Sequence, residues 1–88
     1  MSELRIQSVA FSPGSMAVRF NDDRELAVPL AYFPRLAGAG PADLDRWSLI
    51  GRGLGIHWEE IDEDLSVENI LTAYSRHHQA AYAAAGRR

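Results

Sequence analysis

The stretch "GRGLGIHWEEIDEDLSVENIL", residues 51–71, combines features that occur in three different kinds of site. Its glycines alternate with other residues, a His-Trp pair follows them, and six of the ten residues from 59 to 68 are acidic. These features are found in phosphate-binding loops, in metal sites and in β-hairpins that lead into a helix. The spacing of the residues favours the hairpin and the helix.

The glycines do not have the pattern of a phosphate-binding loop. Such loops place the N–H groups of a helix N-terminus directly after the glycines, as in G-x-G-x-x-G. Here Gly51, Gly53 and Gly55 are followed by "IHW", a strand-like segment. The sequence therefore predicts two short strands, 47–50 and 55–58, joined by a tight glycine hairpin.

The acidic segment "DEDLSVE", residues 62–68, resembles a calcium-binding loop only at its start. Asp62, Asp64 and Ser66 lie at alternate positions, but Val67 occupies the place where the sharp turn of an EF-hand needs glycine. We interpret Ser66 instead as the N-cap of a helix. Asp62 and Asp64 then lie just upstream, where the positive end of the helix dipole stabilises carboxylates.

A long C-terminal helix is predicted to begin at Ser66. Leu65 and Ile70 flank this N-cap at the spacing of a hydrophobic staple. Residues at helical spacing give the helix one apolar face: Ile70, Leu71, Tyr74 and Ala81. The alanine-rich end favours helix, Gly86 is expected to stop it, and residues 80–88 are expected to fray.

The first thirty residues predict an antiparallel β-meander. Apolar residues alternate in "MAVRF" (16–20) and in "ELAVPL" (25–30), as in strands with one buried face. The preceding strand and the two chain reversals are "LRIQSVAF" (4–11), "SPGS" and "NDDR" (21–24). Pro29 cannot donate to a strand ladder, so we expect its strand to end there or to lie at a sheet edge.

Prolines and glycines between the meander and the hairpin predict short helical turns. Pro34 opens one turn, Gly38 and Gly40 end it, and Pro41 starts another. With roughly five strands and one long C-terminal helix packed on a sheet, the predicted fold class is α+β. We expect a single domain that spans residues 1–88.

The composition argues against several classes of protein. The chain has no cysteine, and therefore no disulfide, thiol nucleophile or cysteine-based zinc site. No apolar run approaches the roughly 20 residues of a membrane span, and the N-terminus lacks the features of a signal peptide. We therefore expect a cytoplasmic protein. The net charge of −3 argues against autonomous nucleic-acid binding, which depends on neutralising phosphates.

The histidines do not predict a metal site. His57 and Glu59 form an H-x-E pair like that of zinc deaminases, but those enzymes also require cysteine ligands. His77 and His78 are adjacent, so they face different directions on a helix. No nucleophile-elbow motif accompanies the serines. The sequence predicts no catalytic residue, metal or cofactor.

The segment from "FPRLAGAG" to "ENIL" resembles the small bacterial family catalogued as domain of unknown function 2442. The residues that match the family pattern are Pro34, Arg35, Leu36, Trp47, Gly53, Gly55, Ile56, His57, Trp58, Asp62, Glu63, Asp64, Ser66 and Val67. Asp23 departs from the pattern, since the family's F-x-D-G turn usually has glycine there. The resemblance implies an α+β fold, no established activity, and a toxin–antitoxin-like pairing with other small proteins.

A non-enzymatic interaction module, antitoxin-like and binding a small bacterial protein, is the favoured function. It is supported by the lack of catalytic motifs, the acidic patch 59–68, and arginine and aromatic residues of types enriched at interfaces. The candidate interaction or family-motif residues are Arg35, Trp47, Gly53, Gly55, His57, Trp58, Asp62 and Asp64. Both tryptophans fit a core role as well, and Trp58 shares its strand face with Ile56. A homo-oligomer is also compatible with the sequence.

An enzyme or small-ligand binder is the alternative function. It would use His57 near the glycine hairpin, together with Glu59, Glu60 or Arg35. The physical argument for it is the ordinary pKa of histidine, which suits a base near neutral pH. The competing structural interpretation is that His57 satisfies a backbone group or an acid at the sheet surface.

Overall fold

The computed structural model describes residues 3–86, and it describes side chains as far as residue 76. The strands are β1 (Ile6–Ser12), β2 (Ser15–Phe20), β3 (Glu25–Pro29), β4 (Trp47–Ile50), β5 (Gly55–Trp58) and β6 (Glu63–Ser66). The helices are α1 (Pro34–Ala37), α2 (Pro41–Leu44) and α3 (Val67–Gly86), with 3-10 turns at Leu30–Tyr32 and Gly51–Gly53. The predicted α+β class is confirmed.

The first sheet has the strand order β1-β2-β3 and is antiparallel throughout. The alternation in β2 buries Met16, Val18 and Phe20 on one face, as predicted. β3 is both an edge strand and the strand that ends at Pro29, so both expectations for this proline are met. The bounds of β1 and β3 differ from the predicted ones by one or two residues.

Two left-handed residues make the turns of the first sheet. Gly14 has a φ of 77° between β1 and β2, and Asp23 has a φ of 70° between β2 and β3. Aspartate is among the non-glycine residues that best tolerate this conformation. The departure from the family's glycine at position 23 therefore keeps the turn geometry. Beside it, Asp22 accepts hydrogen bonds from the backbone and side chain of Arg24, which lower the pKa of this carboxyl.

The second sheet has the order β4-β5-β6, and its third strand was not predicted. The hairpin of β4 and β5 was predicted with the bounds that the structure has. The residues of β6 were expected only to precede the helix, and aspartate and glutamate are depleted in strands. Pairing with β5 along Glu63–Ser66 overrides this weak preference. The described residues therefore form six strands in two sheets.

The N-terminus of α3 has the predicted cap. The Ser66 hydroxyl accepts from the Asn69 N–H at 2.9 Å, and the Asn69 side chain accepts from the Ser66 N–H at 3.0 Å. This reciprocal pair satisfies two backbone donors at the helix start. Leu65 and Ile70 are both buried, as expected for the staple, but the prediction for Leu71 is wrong because its side chain is 39% exposed.

Several predictions concern the C-terminal part of α3. The helix extends to Gly86, the residue expected to stop it. The side chains of His77, His78 and Ala81 lie outside the described residues, as do residues 87–88 entirely. The expected fraying of 80–88 is likewise outside what is described. In the part of the chain that the structure describes, no helix combines the length and apolar character that a membrane crossing requires.

Trp58 joins the second sheet to the first sheet and to α2. Its ring meets Phe11 of β1 edge to face, with centroids 6.5 Å apart. Its indole N–H donates to the Leu44 carbonyl at 3.0 Å, which satisfies a buried donor and holds the end of α2. Trp58 belongs to one core cluster, whose other buried hydrophobic residues are Ile6, Val9, Met16, Val18, Phe20, Val28, Leu30, Phe33, Leu36, Leu44, Ile56, Leu65, Val67 and Ile70.

Candidate functional site

The second sheet carries most of the candidate residues, on two different faces. The inner face buries Ile56, Trp58 and Leu65. The outer face has the cross-strand row Ser48–His57–Asp64 and the row Ile50–Gly55–Ser66. This division follows from the alternation of side chains along each strand, which the register then aligns across three strands.

His57 pairs with an acid, as its structural interpretation predicted. The Nδ1–H of His57 donates to the Asp64 carboxylate directly across the β5–β6 ladder. This bond raises the pKa of His57 above its ordinary value, while desolvation acts in the opposite direction. The charges of Asp64, Glu59 and Asp62 add to the increase. Asp64 lies just upstream of α3, as predicted, but it also belongs to strand β6 and binds this histidine, which was not predicted.

Ser48 completes a row of serine, histidine and aspartate that sequence reasoning missed. Ser48 lies opposite His57 on β4, and Asp64 lies opposite it on β6. An aspartate bound to Nδ1 is the orienting arrangement of a nucleophilic triad. Among the described residues, however, no hydrogen bond joins Ser48 to His57, so the structure shows no activated nucleophile. The alignment could only have been found from the strand register, since the three residues are spread over seventeen positions.

The glycine hairpin is a structural joint between the two sheets. Gly51, Arg52 and Gly53 have positive φ values of 57°, 58° and 94°. A Cβ on Gly53 would lie 2.5 Å from the Ile6 carbonyl oxygen, so only glycine fits against β1 there. Arg5 also donates to the carbonyls of Gly51 and Arg52, at 3.0 and 3.2 Å.

Gly55 is required for a different reason. Its φ is not in the left-handed region, but a Cβ would lie 3.1 Å from the Ile50 side chain and 3.2 Å from the Leu65 carbonyl oxygen. A strand, not a helix, follows it. The backbone N–H groups therefore do not form a helix N-terminus, and the hairpin interpretation is confirmed over the phosphate loop.

The turn between β5 and β6 forms an acidic surface. Its residues and those that follow it in β6 and α3 include the six acids Glu59, Glu60, Asp62, Glu63, Asp64 and Glu68. Glu60 pairs with Arg46 at 3.1 Å, and Asp64 pairs with His57. In the part of the chain that the structure describes, the other four carboxylates make no ion pair. Residues 59–64 form what we call the acidic turn.

The remaining candidate residues occupy three distinct environments. Arg35, at the exposed side of α1, donates to the Asp62 carbonyl at 3.3 Å and so holds the acidic turn. Trp47 lies opposite Trp58 on the ladder and is half-buried against the core. Trp58 is fully buried, so its side chain is a core residue and not part of a surface. Asp62 has a φ of 55° and shapes the turn.

An apolar cleft is lined in part by α2. It has a volume of about 570 Å³, and its walls come from the β1–β2 turn, Leu30 and the segment from α1 to α2. Phe11, Leu44 and Asp45 are among its lining residues. The next residue, Arg46, pairs with Glu60, so the cleft and the acidic turn are neighbours. Sequence reasoning missed the cleft because its lining comes from separate segments.

A smaller groove adjoins the outer face of the second sheet. It has a volume of about 280 Å³ and is lined by Ile50, Leu54, Asp64, Asn69 and their neighbours. Ile50 and Leu54 are 44% and 37% exposed, which is high for aliphatic side chains. Among the described side chains, no group of three histidine, aspartate or glutamate residues could hold a metal ion.

The chain is a small α+β protein, and its described residues do not assemble a catalytic site. Residues 6–75 match the family described as "Protein of unknown function (DUF2442)". The chain belongs to this family, as the resemblance in the sequence indicated. Comparison with curated proteins finds no match.

Two solved structures share the fold. A protein of unknown function from Rhodospirillum rubrum is 26% identical, with a TM-score of 0.71 over 81% of this chain and 88% of that one. An uncharacterised protein from Chromobacterium violaceum, determined by NMR in solution, is 24% identical, with a TM-score of 0.68 over 84% of this chain and 75% of that one. Both similarities support the fold and assign no activity.

Proposed function

We propose that the protein is a non-enzymatic interaction module that binds a small, basic bacterial protein. In this proposal it acts in the cytoplasm as an antitoxin-like companion of that partner. The observation that carries the proposal is the acidic turn beside the apolar cleft. Together they offer the two components of a protein interface, an apolar centre and a charged rim.

Charge defines the chemistry of the partner. Glu59, Asp62 and Glu63 have no ion pair among the described residues, and the net charge of the chain is −3. Acids that are not neutralised within the chain attract a partner of opposite sign and increase its association rate. A lysine- or arginine-rich surface fits this turn.

The cleft supplies the apolar anchor. Its volume of about 570 Å³ is large enough for a bulky side chain or a short apolar segment of the partner. Interface energy is concentrated where such an anchor fills a pocket that excludes water. We therefore expect the partner to present an aliphatic or aromatic residue next to its basic residues.

The test begins with tagged protein expressed in the native bacterium and mass spectrometry of the proteins that co-purify. The basic protein recovered is then produced separately, and its affinity is measured by calorimetry. The double variant Glu59→Gln/Glu63→Gln should weaken binding by about tenfold. The matched control Asp23→Asn/Glu25→Gln removes two charges from the first sheet and should leave the affinity unchanged.

A second pair of variants tests the cleft. Ala31→Trp fills the cleft, of which Ala31 is a lining residue, and should weaken binding strongly. Ala27→Trp adds the same bulk to an exposed position of β3 and serves as the control. A partner whose affinity is the same for all four variants would contradict the proposal, as would an acidic partner.

Small-ligand binding is a second candidate, because the groove lies beside the His57–Asp64 pair. A ligand here would combine an aliphatic part with a group that hydrogen-bonds to the carboxylate. A ligand that binds the folded state alone must raise the melting temperature. A metabolite screen by thermal shift, repeated on His57→Gln and on Leu54→Ser, would separate this candidate from the first.

A further inference from the structure

The outer edge of β4 differs from the other sheet edges. β1 has a register shift between Ile6 and Ser8, and β3 has a proline at its end. β6 carries Glu63 and Asp64. Bulges, prolines and charges are the devices that keep strand edges from pairing with other chains. β4, with the sequence Trp-Ser-Leu-Ile, has none of them.

The side chains of β4 are also exposed and apolar. Leu49 is 36% exposed on the face that it shares with Ile56, and Ile50 is 44% exposed on the opposite face, where Leu54 lies near it in the smaller groove. β4 has a strand neighbour on one side only, so its other side presents free backbone donors and acceptors. An added strand would pair with this backbone and cover the aliphatic side chains.

The charges at the two ends of β4 are opposite. Asp45 precedes the strand, and Arg52 follows it in the hairpin loop; both are exposed. Neither side chain makes an ion pair or a hydrogen bond in the described part of the chain. Because antiparallel pairing of two identical strands brings opposite ends together, this distribution fits a second copy of the same chain.

We propose that two copies pair through β4 about a two-fold axis and form one six-stranded sheet. The axis is perpendicular to the sheet, so residues of the same face must lie opposite each other. With Ser48 opposite Ser48 of the second copy, Trp47 lies opposite Leu49 and Asp45 lies beside Arg52. A register centred on Leu49 would place Arg46 opposite Arg52 of the second copy. Repulsion between these like charges disfavours that register.

The pairing segment has only four residues, so the dimer is weak and concentration-dependent. Interfaces of this size are at the low end of stable complexes, and we expect a dissociation constant on the order of 10 μM. Sedimentation velocity of the purified protein from about 1 μM to about 500 μM spans this range. The proposal predicts a monomer at the low end and a dimer at the high end.

A charge exchange tests the register. Asp45→Arg places a cation beside Arg52 of the second copy, and Arg52→Asp places an acid beside Asp45. Aspartate tolerates the left-handed conformation of residue 52, where φ is 58°. Each single variant should raise the dissociation constant by about tenfold, because two contacts per dimer become repulsive. The double variant Asp45→Arg/Arg52→Asp should restore wild-type affinity.

These outcomes decide the proposal. Circular dichroism and the melting temperature of each variant show whether the monomer fold is retained. Restoration by the double variant is a result that a merely destabilised fold would not give. A monomer at all concentrations would overturn the proposal, and the edge would then be open to a different protein. A dimer that both single variants leave unchanged would place the contact on another surface and also overturn it.

Discussion

The two sheets of this protein have the same number of strands and the same antiparallel pairing, yet they present different surfaces. The outer face of the first sheet has a row of small alanines, Ala10–Ala17–Ala27. The outer face of the second has the His57–Asp64 pair and the exposed aliphatic Ile50. Shape and topology are therefore shared between the sheets, while the chemistry available to a partner is concentrated in the second.

This difference selects the candidate interaction residues without reference to a motif. A sheet needs one apolar face to form the core, and both sheets meet that requirement. The outer face of the first sheet carries small residues, and the ion pair Arg24–Asp22 lies in its β2–β3 turn. The second sheet leaves aliphatic and acidic groups at its surface, which stability alone does not require.

The largest expected effect comes from the joint between the sheets. Gly53→Ala combines a positive φ with a Cβ that would lie 2.5 Å from the Ile6 carbonyl oxygen. We expect a loss of about 4 kcal/mol in the free energy of unfolding, measured by urea denaturation. Gly14→Ala is the control in the first sheet, with a positive φ and open space around it, and should cost about 1 kcal/mol. Equal losses would show that the approach to β1 does not constrain the hairpin.

The tryptophan pair gives the next largest effect. Trp58→Phe leaves the Leu44 carbonyl without its donor and a cavity in the core, so it should cost about 3 kcal/mol. Trp47→Phe changes a half-buried residue on the same ladder and should cost less than about 1 kcal/mol. Denaturation curves of the two variants provide the comparison, and a larger loss for Trp47→Phe would reverse the assignment of the core residue.

The helix cap gives a smaller effect. Ser66→Ala removes the acceptor for the Asn69 N–H and should lower the free energy of unfolding by about 1 kcal/mol. Ser8→Ala, at an exposed position of β1, is the control and should change the stability very little. An unchanged melting temperature for Ser66→Ala would remove the serine from its capping role.

The smallest effect is the pH dependence of the His57–Asp64 pair. Because the hydrogen bond raises the pKa of His57 in the folded chain, the pair contributes stability that is fully present below about pH 6.5. This stability is lost as the pH rises through the raised pKa that His57 has in the folded chain. His57→Gln should therefore flatten the stability profile near neutral pH.

The Asp22–Arg24 pair of the first sheet serves as the control for this profile. It lowers the pKa of Asp22, so its contribution is present at neutral pH and is lost only in acid. Asp22→Asn should leave the shape of the neutral profile unchanged. If His57→Gln keeps the wild-type slope between pH 6 and pH 8, the pair is not formed in solution.

The predictable parts of the fold are those that local chemistry determines. The proline and glycine turns, the β4–β5 hairpin and the Ser66 cap follow from residues within a few positions of each other. β6 was missed because its acidic residues disfavour a strand, and only pairing with β5 makes one. Leu71 was wrongly assigned to the buried face of α3. Ala73 packs against the core instead, and Leu71 is exposed.

The candidate site was predictable only in its individual residues. The acids of 59–68 and His57 next to the glycine hairpin are visible in the sequence. The partner of His57, the row with Ser48 and the cleft depend on register and on segments far apart in the chain. Periodicity indicates which face of a strand is buried, but it does not indicate which strands are neighbours.

Hydrogen–deuterium exchange of the protein with and without its co-purified partner tests whether the acidic turn and α2 form the interaction surface. We expect slower exchange of backbone amides in residues 41–46 and 59–64 when the partner is bound, with little change in residues 15–27. Unchanged exchange in the acidic turn and α2, with protection confined to the first sheet, would contradict the assignment of the interaction surface.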